Sequence, residues 1–542
     1  MTERIRRTAA LAALLAAVAI AFADSSIVVI ALPDVLRQFD TSITGVAWVV
    51  TAYNLALAVV SLALVVVVAR RPAARLLPVG IVVFAASSLV AGAAPDLWVL
   101  VSARTVQGIG AALLLAGSLA AVRALAAARG PELWAGAGLL GAAVGPAAGG
   151  LLTEVFSWRA IFYAQAPVAA AALVAAGRRV EPFPAEQSAR RPRVAANAAL
   201  ALVSAALVGL LFLAVVLLID VWRLSPLAAA GVVSVIPLAT AAAQPVAARV
   251  GPGAGVLLLA GGLAGMALLP ARSVIWAVIV LAIAGAGLGL VVPALSRIAL
   301  GGGAAAGATT AWARHAGLVV GLLVLTPLLS SDLTAAADRA KLHATAAVLD
   351  APLPAERKLR LAFDLAPVLA HPPRKGLPSF TETLADRPAD EARLGGRLDS
   401  IVQASVTRGF RTSFLIAALL AFLALLPLAF AVRVTARAPA FAAAVAAALV
   451  GAELARGALT YGERPRVLPA CAKRPSFPGN GVDPEAQRLV LRSLDFVACR
   501  VHKTREQLVV DLAGAGVDAA DFVERLVGYA RALPDWLRRL FG

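Results

Sequence analysis

Apolar runs about 20 residues long, the length one α-helix needs to cross the hydrocarbon core of a bilayer, recur along most of this chain. The composition agrees, because 61% of the 542 residues are hydrophobic and only 15% are charged. Soluble domains have roughly 45–50% apolar and 25% charged residues. The sequence therefore predicts an all-α integral membrane protein and excludes an ordinary water-soluble enzyme.

The apolar runs predict twelve transmembrane helices and a weaker thirteenth. The twelve lie near 9–31, 43–68, 76–93, 99–122, 133–152, 160–176, 195–219, 226–248, 253–270, 274–295, 311–330 and 412–432. The first run imitates a signal peptide, but its apolar sequence continues to Leu32, which suits a retained span better. The thirteenth, 439–456, either crosses the membrane or lies along its surface.

Arginines in the short loops predict the orientation, because cytoplasmic loops carry the excess of Lys and Arg. With the N-terminus in the cytoplasm, most loop arginines fall on the cytoplasmic side. The short outer loops then hold only Arg37, Arg159, Arg223 and Arg272. The formal net charge of +18 thus marks the cytoplasmic face of a cell-membrane protein, and we expect no nucleic-acid partner.

The spans form two six-helix bundles, residues 1–176 and 195–435, joined by a charged cytoplasmic linker at 177–194. Paired bundles build many secondary transporters, with the substrate site between the halves near the membrane midplane. A non-transporting helical bundle is the alternative. The second bundle includes a long polar loop, 331–411, which the count of spans places outside.

A polar tail, 458–542, follows the extra helix at 436–457, and helix-start signals such as the one at Thr504 predict a small helical domain there. Cys471 and Cys499 both lie in this tail. If the extra helix crosses the membrane, the tail is extracellular and the two cysteines can form a disulfide. If it lies along the surface, they are reduced thiols inside. Two cysteines and four scattered histidines predict no metal site.

Motifs at 23–33, 104–111, 141–150 and 157–163 occur in this order in the first half. Together they resemble the major facilitator superfamily, and within it the drug:proton antiporter family that usually has fourteen spans. The resemblance covers about residues 8–435. It implies the major-facilitator fold of two six-helix bundles and transport of small molecules.

Asp24 lies inside the first span, where a carboxylate costs about 2.5–3.5 kcal/mol on insertion scales and usually faces a cavity or a partner. Burial disfavours the ionised form, so Asp24 can exchange protons. The resemblance implies proton coupling or cation binding at this position. The alternative is a structural ion pair or a site near the water interface.

Arg104, Gln107 and Gly108 share one face of the fourth span. An arginine here can hold a nearby carboxylate ionised in one conformation and release it in another, which proton coupling requires. The resemblance assigns proton transfer to Arg104. The alternative is an arginine that extends to the membrane interface.

A small-residue stripe in the fifth span can pack closely against another helix, and Pro146 permits bending. Its members are Gly141, Gly145 and Gly149. The resemblance implies that this element lies between the two halves and is typical of antiporters. The tenth span offers a weaker counterpart, with Gly285, Gly287, Gly289 and Pro293.

Other residues are weaker candidates. The substrate cavity could be lined by Trp48, Tyr53 and Asn54. His315 could titrate near pH 6.5, although a single histidine near a span end is more often packed or interfacial. The carboxylates near outer span ends are expected to be solvated; they are Glu154 and Asp220.

The chain departs from the family pattern in two places. The loop between spans two and three normally carries Gly-x-x-x-Asp-Arg-x-Gly-Arg, but residues 67–75 are basic and lack its glycine and aspartate. The asparagine expected in the first span near Val29 is also missing. These departures leave a non-transporting role open.

The residues and the resemblance together predict a secondary transporter in the lipid bilayer that exports small amphipathic or cationic molecules in exchange for protons. We expect no cofactor; the sequence does not specify the oligomeric state, for which a monomer is the default. No phosphate-binding loop ends in Lys-Ser/Thr, so ATP-driven pumping is not predicted, and no nucleophile triad indicates an enzyme. The alternatives are an uptake permease and a degenerate, non-transporting anchor or sensor for the tail domain.

Overall fold

The computed structural model describes residues 2–68, 76–126, 129–176, 190–269, 272–301, 305–370, 377–432, 437–472, 484–518, 521, 522, 524 and 525. Every regular element within these ranges is helical. Two predicted features lie outside the described residues: most of the degenerate loop motif, 69–75, and most of the cytoplasmic linker, 177–189.

The chain divides into two compact units. The first consists of Met1–Ser330 and Phe410–Leu459, and the second of Ser331–Gly409 and Thr460–Gly542. The first unit contains the apolar helices, and the second contains the two polar segments.

The helices of the first half are α1 (Thr2–Ile27), α2 (Leu32–Gln38), α3 (Ile43–Val68), α4 (Leu77–Ala93), α5 (Leu97–Ala126), α6 (Gly130–Val155), α7 (Arg159–Ala171) and α8 (Leu173–Ala176). The next helices are α9 (Arg190–Val216), α10 (Pro226–Val233), α11 (Val235–Ala243), α12 (Ala247–Val250), α13 (Pro252–Ala267), α14 (Val274–Leu300) and α15 (Ala306–Leu349). The second unit continues with α16 (Ala355–Ala370), α17 (Phe380–Thr383) and α18 (Ala389–Gly409). The chain then forms α19 (Arg411–Leu423), α20 (Leu425–Ala431) and α21 (Arg437–Ala455), followed by α22 (Pro484–Arg500) and α23 (Arg505–Gly514). We call α9–α15 with α19 and α20 the second half.

Within the described residues, nine helical runs are long and apolar enough to cross a membrane. Shorter apolar helices cover three further predicted spans: Leu77–Ala93, Pro252–Ala267 and Pro439–Ala455. The predicted sixth span, 160–176, is not one helix. It divides at Ala172, whose N–H bonds to Ala169 O, after Pro167 has removed one helical hydrogen bond.

The glycine stripe of α6 packs against α1, which belongs to the same half. A Cβ atom on Gly141 would clash with the backbone oxygen of Ala19, and one on Gly149 would clash with that of Ile27. The same motif also contacts the second half, as the resemblance implies, because a Cβ on Gly150 would clash with the Cβ of Ala230 in α10. Glycine is needed here because only a residue without a side chain lets the carbonyls of α1 approach α6 so closely.

The second half repeats this packing on different helices. A Cβ on Gly317 of α15 would clash with the backbone oxygen of Ala201 in α9. The pair α15 and α9 thus corresponds to the pair α6 and α1 of the first half. The predicted counterpart on α14 has another neighbour, because a Cβ on Gly285 would meet Ile236 O of α11. The positional counterpart of the α6 stripe is therefore on α15.

Polar contacts join the two halves at opposite ends of the bundle. Arg37 Nη1 in α2 donates a hydrogen bond to Asp220 Oδ1 at 3.3 Å, and Arg123 Nη2 in α5 donates to Leu300 O at 3.2 Å. The expectation that Asp220 is solvated is therefore wrong: its side chain is 25% exposed and ion-paired. Glu154 is exposed, as expected.

The loop 331–411 and the tail, which the sequence treats separately, form the second unit together. Arg397 in α18 pairs with Glu463, and Arg505 Nη2 in α23 lies 3.0 Å from Asp350 Oδ1. Lys358 in α16 is buried and donates to Leu349 O at 2.9 Å. Burial lowers the pKa of its ammonium group to about 7.

Cys471 and Cys499 are joined by a disulfide, with their Cα atoms 4.6 Å apart. Both residues belong to the tail, and the bridge spans 28 positions of the sequence. It links the start of the tail, before the undescribed residues 473–483, to the end of α22.

We expect Gly141→Ala to lower the melting temperature by several degrees, because overpacking costs about 1–3 kcal/mol. Gly136 lies on the same helix, and a Cβ there would meet nothing within 4 Å. Gly136→Ala should leave stability unchanged or raise it slightly, through helix propensity alone. Thermal unfolding of the two purified variants measures the difference. Equal melting temperatures would contradict the close α1–α6 packing.

Candidate functional site

Asp24 of α1 and Arg104 of α5 form an ion pair in which neither side chain is exposed. Arg104 Nη1 donates to Asp24 Oδ2. The other carboxylate oxygen, Oδ1, accepts a hydrogen bond from Gln165 Nε2 of α7 at 2.6 Å. A buried carboxylate needs such partners, because removing a charge from water without them costs several kcal/mol.

Amide side chains extend the pair into a closed network across four helices. Arg104 Nη1 also donates to Gln107 Oε1 at 2.6 Å. Gln107 Nε2 in turn donates to Gln165 Oε1 and to Ser88 Oγ of α4, both at 2.7 Å. The network ties α1, α4, α5 and α7 together, so a change of charge at one member affects the position of the others.

α3 completes the surroundings of Arg104. Arg104 Nε donates to Val49 O at 2.9 Å, and its guanidinium lies 4.3 Å from the centre of the Tyr53 ring, within cation–π range. The Tyr53 hydroxyl donates to Ala21 O of α1 at 2.7 Å. Gly108 permits this close approach, because a Cβ there would clash with Tyr53 O.

A second polar cluster connects the two halves. Ser25 Oγ donates to Asn54 Oδ1 at 2.8 Å, and Asn54 Nδ2 donates to Val50 O at 2.8 Å. His315 Nδ1 of α15 lies 2.7 Å from the same Oδ1. Because this oxygen can only accept, Nδ1 must carry the imidazole proton. His315 is 1% exposed, so it is a packed residue and not an interfacial one.

Both halves line a cavity beside these clusters, and this cavity is partly open to solvent. Its walls come from α1, α6, α9, α11, α14 and α15. The lining residues are Phe22, Ser25, Ser26, Leu139, Ala142, Pro146, Ser204, Leu207, Val208, Leu211, Ile236, Pro237, Thr240, Leu288, Val292, Arg314, His315 and Leu318. A mostly apolar wall with a few polar groups is typical of a site for a small organic molecule.

The three residues predicted to line the cavity do not do so. Tyr53 and Asn54 are fully buried and hold the polar clusters together, and Trp48 is 46% exposed. None of them is among the cavity residues. The rotation of α3 about its axis decides this, and an apolar sequence does not specify that rotation.

Ser88, Gln165 and Arg314 are among the residues of the site that were not predicted from the sequence. Gln165 carries a detectable signal, since it is an amide in the middle of the apolar run 160–176 and a polar group there needs a partner. Ser88 and Arg314 carry no comparable signal, because serines are common in spans and Arg314 lies near a span end.

The sequence pattern of the Major Facilitator Superfamily matches residues 14–325. The chain belongs to this superfamily. The match includes both polar clusters and every residue that lines the cavity. As a superfamily member with many apolar helices, it is a multi-pass membrane protein.

Several curated superfamily relatives are named for drug resistance or efflux. Multidrug resistance protein Stp of Mycobacterium tuberculosis is 36% identical over 157 residues, which are 28% of this chain and 29% of Stp. Puromycin resistance protein pur8 of Streptomyces alboniger is 40% identical over 174 residues, 31% of this chain and 35% of pur8. Multidrug efflux pump LfrA of Mycolicibacterium smegmatis is 34% identical over 180 residues, which are 32% of this chain and 36% of LfrA. The chain thus spans about a third of the length of these relatives.

A solved structure shows the same fold. It is the bacterial homologue of the human lysosomal transporter Spinster, in an inward-facing and unoccupied conformation. The TM-score is 0.53 at 16% sequence identity, and the superposition covers 80% of this chain and 99% of that chain. The predicted major-facilitator fold is confirmed.

Asp24→Asn and Arg104→Gln should each destabilise this superfamily member by several kcal/mol, because each leaves a buried charge or hydrogen-bonding group without its partner. The double variant should lose less than the sum of the two, with a coupling energy of about 0.5–3 kcal/mol. Thermal unfolding of the four proteins completes the cycle. Arg297→Gln, which removes an exposed arginine, serves as the control. Additive losses would mean that the two side chains do not depend on each other.

Proposed function

We propose that this transporter exports small amphipathic or cationic molecules across the cytoplasmic membrane in exchange for protons, with Asp24 and Arg104 as the coupling pair. The names of the relatives support efflux of drug-like molecules. The adjacency of Asp24 and Ser25 carries the proposal. Asp24 binds Arg104, and the next residue of α1, Ser25, lines the cavity. One turn of one helix thus contacts both the proton site and the cavity.

Proton binding at Asp24 would alter the forces on α1. The ionised carboxylate attracts Arg104, and this attraction is strong because the surroundings have a low dielectric constant. A proton on Asp24 removes the negative charge and leaves the Arg104 guanidinium unbalanced. α1 is then held less firmly to α5 and can shift relative to it.

A shift of α1 would reach the second half through the Ser25–Asn54–His315 cluster. Asn54 accepts from Ser25 of α1 and from His315 of α15, so these bonds must rearrange when the halves rock past each other. The Arg37–Asp220 contact must break when the transporter opens at that end, and the Arg123–Leu300 contact must break when it opens at the other end. Proton binding from outside would favour the return to the inward-facing state, and substrate release would precede it.

We also propose that α21 crosses the membrane and that the tail is extracellular. The chain leaves the second unit at Gly409 and re-enters it at Thr460. If α19 and α20 together cross the membrane once, α21 must cross back. Two contacts with span helices support this: a Cβ on Gly261 of α13 would touch Ala446 of α21, and Trp276 Nε1 of α14 donates to Glu453 Oε1 at 3.0 Å.

Asp24→Asn should reduce proton-driven drug transport in proteoliposomes at least about tenfold, since an amide cannot exchange the proton. Exchange of the drug across vesicles without a pH gradient should continue, because the cavity remains. The flux of the radiolabelled drug that the wild type moves fastest, chosen from a panel of amphipathic compounds, measures both quantities. Asp96→Asn is the matched control: Asp96 is exposed and caps α5 through Val99 N, a role that asparagine also fills.

Three results would favour other functions. Unchanged proton-driven flux in Asp24→Asn would contradict the coupling role of Asp24. Accumulation of the drug on the side toward which protons flow would indicate an uptake permease. A folded wild-type protein that moves none of a panel of amphipathic drugs, with or without a gradient, would favour the anchor or sensor.

The tail cysteines test the orientation. A membrane-impermeant maleimide should not label intact cells, because Cys471 and Cys499 are bridged, but should label them after an impermeant reductant. The double variant Cys471→Ser/Cys499→Ser has no thiol and is the control. Labelling that requires permeabilised cells would place the tail inside and would contradict a crossing α21.

A further inference from the structure

A single full charge lies in the wall of the cavity. Among the described residues that line it, Arg314 of α15 alone carries a charge at neutral pH irrespective of its surroundings. The remaining wall is mostly aliphatic, with a few neutral polar groups. These are Ser25, Ser26, Ser204, Thr240 and His315.

The Arg314 guanidinium has no carboxylate partner among the described residues. Its Cζ atom lies 4.5 Å from the centre of the Phe22 ring, and its side chain is half-buried. The carboxylate oxygens of Asp24 in the first span are engaged by Arg104 and Gln165. A cation in an apolar wall is unfavourable without a counter-charge, and a cation–π contact offsets only part of that cost.

We propose that Arg314 binds the anionic group of a substrate whose remaining surface is apolar. This rests on the proposed transport function and narrows its substrate class to amphipathic anions, with a carboxylate or a chemically similar oxyanion at one end. The planar guanidinium matches a carboxylate with two parallel hydrogen bonds. The aliphatic wall then buries the apolar body, as in most small-molecule sites.

The same charge disfavours cationic substrates. A quaternary ammonium in this cavity would place two like charges in a low-dielectric space, which selects against it. Export of an anion also fits exchange for a proton. An anion that leaves the cell and a proton that enters it both make the inside less negative. An inside-negative membrane potential therefore drives each of these movements.

Binding of three probes with one apolar body tests the proposal: 2-naphthylacetate, 2-(2-naphthyl)ethanol and 2-naphthylmethyl-trimethylammonium. Each is measured by equilibrium dialysis against the full chain in lipid nanodiscs, with empty nanodiscs subtracted. The wild type should bind the carboxylate about tenfold more tightly than the alcohol, the ratio expected for a charged hydrogen bond. The ammonium should bind most weakly.

Variants separate charge recognition from packing. Arg314→Gln should lose the preference for the carboxylate and keep the affinity for the alcohol. Arg314→Lys should retain a reduced preference, because it keeps the charge but not the planar fork. Arg297→Gln removes an exposed arginine from α14 of the same half and should bind all three probes as the wild type does.

Two outcomes would overturn the proposal. One is a wild type that binds the ammonium as tightly as the carboxylate; the other is an Arg314→Gln variant that weakens all three probes equally. If Arg314→Gln does not fold, the wild-type ranking and Arg314→Lys still decide. Binding needs no gradient, so carboxylate binding through Arg314 without proton-driven flux would contradict only the transport function. Flux without a charge preference would contradict only the substrate class.

Discussion

The buried ion pair between Asp24 and Arg104 is the interaction on which the first half depends. In lipid, no water can replace a missing partner, so each charge is stable only while the other faces it. Gln107 accepts a hydrogen bond from Arg104, and Gln165 donates one to Asp24, which brings α7 into the network. The pair therefore fixes the rotation of several helices, and its strength changes with the protonation of one carboxylate.

Close backbone contact is the second constraint, because helices in a membrane gain little from burying apolar surface against each other. α6 meets α1 through its glycine stripe, and α15 meets α9 through Gly317. Each half thus holds one cavity-lining helix, α1 or α9, against a helix that also lines the cavity. Asp24 and part of the cavity wall lie on the same tightly packed helix, α1, which allows one to influence the other.

Much of the fold could be predicted from the sequence, because the length of an apolar run shows whether a helix can cross the membrane. Asp24 and Arg104 could also be singled out, since charges inside spans are costly and rarely lack a partner. The stripe of α6 was recognised as a close-packing element, but its neighbour was not. The cavity-lining role expected of Tyr53 and Asn54 failed, and Asp220 proved to be paired with Arg37.

The sequence by itself determined that the chain is helical, crosses the membrane many times and carries an acid and an arginine within its first half. Only the tertiary structure decided that these two side chains meet, that Arg314 faces the cavity, and that the loop 331–411 packs with the tail. The reason is that lipid-facing and protein-facing sides of such helices are both apolar. Hydrophobicity therefore gives the length of each helix but not its rotation or its neighbours.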